Sequence, residues 1–202
     1  MSSVSIHIAN DADDGAQIVG VGFPSGDPVT SGWNGFFNTE LIGFLRFLSV
    51  GVPVGSTITA ATITLNVVGI TGTPDTTIYG VNADNASAFA DPGNLPSNAT
   101  PTTASYDADP AGTGTFVLTV TDIVAEIVAR AGWTSGNNIA FIIRDNFGSG
   151  SNNWGAEDYS AAGTAEAQLD VTYTAGGGSS SPAQAQMRNF RGIEPGAQIG
   201  GQ

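Results

Sequence analysis

Carboxylates carry most of the chemistry this chain could perform. Its 202 residues hold 18 Asp and Glu against five Arg, with no Lys, no Cys and a single His. Thiolate chemistry and thiolate metal sites are therefore excluded, and oxygen is the ligand on offer. The densest cluster is Asn10-Asp11-Ala12-Asp13-Asp14-Gly15. Carboxylates at alternate positions beside a glycine can converge on Ca²⁺, which takes several hard oxygen ligands. Asp11, Asp13 and Asp14 are accordingly the candidate calcium ligands. The EF-hand spacing with its distal Glu is missing, so the expectation is a loop whose Asp and Asn side chains bond their own backbone, with no resident cofactor.

Catalysis has fewer candidates. His7 lies in an alternating stretch, where a half-buried strand position is the plainer reading than a general base. The nucleophile elbow, the phosphate-binding loop and the dinucleotide fingerprint are all absent from the sequence. Paired carboxylates for glycoside hydrolysis have no local signature and would have to be brought together by the fold. No enzymatic activity is expected. Binding has better material: Trp33, Phe36 and Phe37 stand in a glycine- and proline-punctuated stretch, and Trp154 and Tyr159 in a loop rich in Gly, Ser and Asn. Aromatic side chains on loops stack on sugars or fill a partner's pocket, although they also fold back to cover a core. Trp33, Phe36, Trp154 and Tyr159 are the candidate glycan-binding residues.

The elements that must position these residues read as strands. Residues 41–50 form a nearly continuous apolar run interrupted by Arg46, a Pro53–Gly55 turn follows, and residues 57–65 alternate with period two and are rich in β-branched side chains. Further strands are expected at residues 4–9, 76–81, 115–120, 139–144 and 167–173, with an edge strand within 99–106. Asp122 is placed to cap a short amphipathic helix over residues 123–131, with Glu126 and Arg130 as an i, i+4 pair on its outer face. Residues 10–15, 23–40 and 146–160 read as loops. Residues 82–114 are long and irregular, which is unusual inside a compact domain.

Charge and tail complete the organisation. Residues 1–175 hold 17 acids and three arginines, a net charge of −14, so the body repels phosphate backbones and nucleic acid is not an expected partner. No apolar run approaches the roughly 20 residues of a membrane helix, and the first residues lack a secretory pattern; a soluble chain without a membrane partner is expected. Residues 176–182 are a Gly/Ser linker. Residues 183–202 form an arm too small for a core of its own. Met187, Arg188, Phe190, Arg191 and Ile193 within it are of the types enriched at interfaces and are the candidate partner-binding residues. The expected organisation is an all-β domain at 1–175, the linker, and an arm that contacts a neighbouring subunit.

The segments F-L-R-F (44–47), V-P-V-G-S-T-I-T-A-A-T-I-T-L (52–65), I-Y-G-V (78–81), I-V-A-E-I-V (123–128), G-N-N-I-A-F-I-I (136–143) and A-Q-L-D-V-T-Y (167–173) together resemble the DNRLRE-like jelly-roll domains, relatives of carbohydrate-binding modules that occur in secreted bacterial proteins and phage structural proteins. The resemblance covers residues 4–174. It implies an antiparallel jelly-roll β-sandwich serving as a stalk, adhesion or decoration module, in a family where some members bind sugars or calcium. The matching residues belong to core and turns, so they imply a fold and carry no site. The expected function is a virion structural protein: a bacteriophage capsid decoration or auxiliary protein, assembled in the host cytoplasm. It would form homo-oligomers and hold the major capsid protein or another virion protein through its arm. The alternative is a carbohydrate-binding or adhesion module with a host glycan as partner.

Overall fold

Eleven strands and one α-helix make up the regular structure in a computed structural model that describes residues 1–21, 28–90, 93–146, 148–159 and 166–176. The strands are β1 (Ser2–His7), β2 (Asp14–Ile18), β3 (Val29–Asn34), β4 (Thr39–Phe47), β5 (Thr57–Thr71), β6 (Thr76–Val81), β7 (Pro101–Asp107), β8 (Gly114–Thr119), β9 (Ile139–Asp145), β10 (Asn152–Ala156) and β11 (Gln168–Thr174). The helix α1 spans Thr121–Val128, between β8 and β9. The 183–202 arm and nearly all of the linker lie outside the described residues.

All pairings are antiparallel, and the hydrogen-bonded order is β1-β11-β5-β10-β3-β4-β9-β6-β7, with β2 joined to β4 and β8 to β5. This one curled sheet folds over on itself as the expected jelly-roll sandwich. Ile63, Leu65 and Val67 of β5, Leu169 and Val171 of β11, Leu45 and Phe47 of β4, and Phe141 and Ile143 of β9 all belong to one buried cluster between the layers. Burying each such side chain stabilises the fold by about 1.5–3 kcal/mol. The alternation read in β5 and β11 therefore has its physical cause: one face meets this core and the other meets solvent.

The run in β4 and β9 does not alternate because both faces of these strands are covered. Ile42 and Phe44 of β4 and Ala140 and Ile142 of β9 point away from the main core into a second cluster with Ala86 and Phe89. Phe89 meets Phe44 edge to face at 4.9 Å. The irregular stretch after β6 is thus a lid over the outer sheet face. It is pinned where Ala86 N–H donates to Asn138 O and Asn138 N–H donates to the Asn85 side chain.

Two stretches expected to be loops contain strands, β3 and β10, and a third ends in the start of β2. β2 pairs with β4, β3 pairs with β4 and β10, and β10 lies between β3 and β5. Their sequences, D-G-A-Q-I, V-T-S-G-W-N and N-N-W-G-A, hold few β-branched residues, so neighbouring strands rather than intrinsic preference make them extended. Gly32 of β3 sits at φ +123°, and a Cβ there would meet the Asn153 Cα at 2.6 Å; only glycine lets β3 and β10 approach so closely.

The helix begins at Thr121 with Val120 as its N-cap, so Asp122 lies inside the first turn and does not cap it. Its carboxylate accepts the Tyr106 hydroxyl of β7 at 2.8 Å. Glu126 and Arg130 also part company. Glu126 accepts Thr103 N–H and Ala104 N–H of β7, while Arg130 pairs with Asp84 at 2.7 Å and donates to Asn82. Each finds a partner fixed by the fold, which an exposed i, i+4 pair worth a few tenths of a kcal/mol does not outweigh. Ile123, Val124, Ile127 and Val128 fill the core as their spacing predicts, with α1 against β5, β6 and β7.

Candidate functional site

The acidic cluster resolves into separate parts. Asp11 lies exposed in a 3-10 turn (Asp11–Asp13). Asp13, buried, turns toward β4, where its Oδ1 lies 3.0 Å from Arg46 Nε and its Oδ2 accepts the Asn10 amide at 2.8 Å. Asp14 opens β2 opposite Leu45 and is 1% exposed. The three do not converge as a calcium loop. A salt bridge takes Asp13, and strand pairing directs Asp14 elsewhere. Among the described residues, no group of three acidic or imidazole side chains is arranged to hold a metal.

Asp14 has an unexpected neighbour in Asp158, which follows β10 and is itself buried. Asp14 Oδ2 accepts the Tyr159 N–H at 3.0 Å, whereas its Oδ1, also buried, meets no donor among the described residues. Burial first, and then the Asp158 charge, push the Asp14 carboxyl up from 3.8 to about 7; the Tyr159 N–H works in the opposite direction. The sequence gives no sign of this pair. Its members are brought together only because β2 and β10 both join the β3–β4 part of the sheet, and both strands read as loops.

The aromatic candidates divide as well. Trp154 is a core residue of β10, wholly buried: its ring meets Phe116 edge to face at 5.9 Å, and its indole N–H donates to Thr76 Oγ1 at 3.0 Å. Thr76 Oγ1 in turn donates to Ala108 O at 2.7 Å, closing a buried network. A sugar would have to unfold the sandwich to reach Trp154, so the glycan-binding expectation fails for this residue. Tyr159 is 37% exposed. Trp33 lies in β3 opposite Glu40 of β4.

Phe36 presents a different picture. It caps the β3–β4 hairpin, 91% exposed, with Phe37 beside it at 46%. The rings stand edge to face with centroids 5.0 Å apart. The backbone beneath them is held: Asn34 Oδ1 accepts the N–H groups of both Phe36 and Phe37 at 3.0 Å, and Asn38 adopts φ 51° to close the turn. Phe36 and Tyr159 do not share a platform. They lie beyond opposite ends of β10, whose five residues span about 16 Å.

His7 is exposed at the edge of the sheet and lines a polar groove of about 330 Å³ with Thr64, Asn66, Thr115, Glu166 and Gln168. These side chains come from the outer faces of β1, β5, β8 and β11, with Glu166 just before β11. His7 and the Glu166 carboxylate both line the groove, which holds no nucleophile–base–orienter arrangement among the described residues. The candidate partner-binding residues Met187, Arg188, Phe190, Arg191 and Ile193 lie outside the described residues. No helix among the described residues is long and apolar enough to cross a membrane. No protein-family model matches the chain, and no curated protein is similar to it.

Proposed function

We propose that this chain is a virion structural protein, a bacteriophage capsid decoration or auxiliary protein whose sandwich is carried on the particle by residues 177–202. One observation supports this reading above the others: the sandwich is closed before those residues begin. β1 pairs with β11 from Ser2 opposite Tyr173 to His7 opposite Gln168, so the first and last strands complete the fold. The 26 residues after Gly176, with their Met, Phe, Ile and two Arg, are then free to serve attachment. The resemblance to DNRLRE-like domains of phage structural proteins and the acidic, lysine-free body agree with such a role. Many copies on one particle would make a weak arm effective through avidity.

Deleting residues 177–202 tests it. The truncated protein is expected to fold and to be lost from purified particles; normal incorporation defeats the reading. The exposed Phe36–Phe37 pair favours a second reading, a carbohydrate-binding or adhesion module. A glycan array on the intact chain separates the two, because only the second reading expects binding that Phe36→Ala abolishes.

A further inference from the structure

We infer that the open edge of β8, with the groove beside it, is a docking site for residues 183–191 of a second copy of this chain. The inference rests on residues 177–202 being the attachment arm and names the surface that they engage. Among the described residues β8 pairs with β5 alone. Val120 N–H, just beyond β8, donates to Ala61 O of β5. This sets the phase of the ladder: Phe116 and Leu118 bond toward β5, while Thr115, Val117 and Thr119 turn their N–H and C=O groups to the open side. Such an edge is normally blunted by charge, by proline or by a covering element. β8 reads G-T-F-V-L-T, without charge or proline, and its Val117 is 55% exposed. β7, by contrast, starts at Pro101 and has its backbone met by Glu126 of α1.

The groove selects the occupant. Its volume is about 470 Å³, with Tyr106, Asp107 and Asp109 on the β7 side and Phe116, Val117 and Thr119 on the β8 side. Tyr106 and Phe116 are half-buried, and both aspartates are exposed. The three arginines of the described residues pair with other acids, Asp13, Asp84 and Glu40. The chain's remaining cations of that kind are Arg188 and Arg191. Residues 183–191, A-Q-A-Q-M-R-N-F-R, contain neither Gly nor Pro and are long enough to match β8. Extended along β8, they would meet its outward N–H and C=O groups, as a peptide does when it adds a strand to a sheet edge. Period two puts Arg188 and Phe190 on one face, so Phe190 covers Tyr106 and Phe116 while Arg188 meets Asp107 and Asp109. The acidic body of another copy would instead be repelled. A chain's own arm is poorly placed to do this. Gly176 lies against Gly55, and Thr119 pairs with Thr62, seven residues further along, about 23 Å away. Residues 177–186 relax to an end-to-end length of about 17 Å. So small an interface is weak in dilute solution and gains strength where many copies lie side by side.

Because the chain has no Cys, crosslinking of the full-length protein provides the test. One preparation carries Thr119→Cys, at an exposed position of β8, and a second carries Asn189→Cys. Mixed at high concentration and treated with a short bifunctional maleimide, they are expected to give Thr119–Asn189 dimers. A control preparation with Ser3→Cys, exposed on the edge strand β1, should give far fewer. Val117→Lys or Asp107→Arg in the Thr119→Cys chain should each lower the yield about fivefold or more. Arg188→Asp in the partner chain should restore the yield lost to Asp107→Arg. Equal yields at β8 and at the β1 control would overturn the inference, as would a yield that neither Val117→Lys nor Asp107→Arg changes. A chain carrying both Thr119→Cys and Asn189→Cys that links to itself at high dilution would make its own arm the occupant, and the second copy would be ruled out. Loss of the truncated chain from particles without any specific crosslink would defeat this inference alone. Specific crosslinks with normal incorporation of the truncated chain would uphold it and defeat the virion reading.

Discussion

Two residues show how burial decides what a side chain is for. Trp154 has the type and the setting of a sugar-stacking residue, yet its indole fills the core between Phe116 and Thr76. Trp154→Ala is therefore expected to cost about 3–5 kcal/mol of folding stability through the cavity it leaves. Trp154→Phe should cost less but still leave Thr76 Oγ1 without its donor. Urea unfolding measures both, and an Ala variant of unchanged stability would contradict the burial. Asp14 makes the opposite case, a polar group whose burial is a liability. Its carboxyl is raised to about 7 from 3.8, so the folded state holds a proton that the unfolded chain releases at lower pH. The stability that this proton provides is fully present below about 4 and is lost as pH rises through 7, by an amount on the order of a few kcal/mol. The charges facing the group are those of Asp158, Asp11 and Asp13. The unfolding midpoint should thus fall between pH 5 and pH 8, and Asp14→Asn should flatten that fall. A midpoint unaffected by the substitution would mean that another group governs it.

At the scale of elements, the legible strands are those rich in β-branched and apolar residues, whether one face is dry, as in β5 and β11, or both, as in β4 and β9. β5 and β11 alternate because solvent lies on one side, and the helix shows its core face at the expected spacing. β2, β3 and β10 are hard to read because small and polar residues (Asp, Gly, Ala and Gln in β2, Gly, Asn and Ser in β3 and β10) occupy much of them, and they are extended in the company of β4 and β5. The site shares the difficulty: Asp11, Asp13 and Asp14 stand out as neighbours in sequence, but the nearness of Asp158 to Asp14 follows from the placement of β2 and β10 in the sheet. The helix docks by a similarly nonlocal device. Glu126 accepts two backbone N–H groups of edge strand β7, Thr103 at 2.9 Å and Ala104 at 2.8 Å. Glu126→Ala should therefore destabilise the protein by about 1–3 kcal/mol, the cost of leaving such donors unmet, and speed amide exchange at those two positions. Glu126→Gln, which keeps one acceptor oxygen, should fall between. If Ala and Gln variants matched the parent protein, the bond to β7 would contribute nothing to holding the helix.

For the molecule as a whole, connectivity sets where the chain can be cut. β1 leads the chain and β11 ends the described fold, and each relies on the other: β11 lies between β1 and β5, with Leu169 and Val171 in the core. The core cluster of the described residues extends along the chain as far as Tyr173. A chain ending at residue 176 is accordingly expected to unfold in one cooperative transition, at the same midpoint as the full-length protein. A chain ending at 166 loses all of β11, strips β1 of its partner and opens the apolar face of β5 to water. It should fail to fold cooperatively and should bind hydrophobic dyes. Because strands from the two ends must meet before the sandwich closes, folding should also be slow, in the millisecond-to-second range or longer typical of nonlocal β topologies. The pair of truncations tests the closure on which the attachment role of residues 177–202 depends. If removing those residues alone lowered the midpoint, they would be part of the folded body, and an arm reserved for another molecule would no longer be tenable.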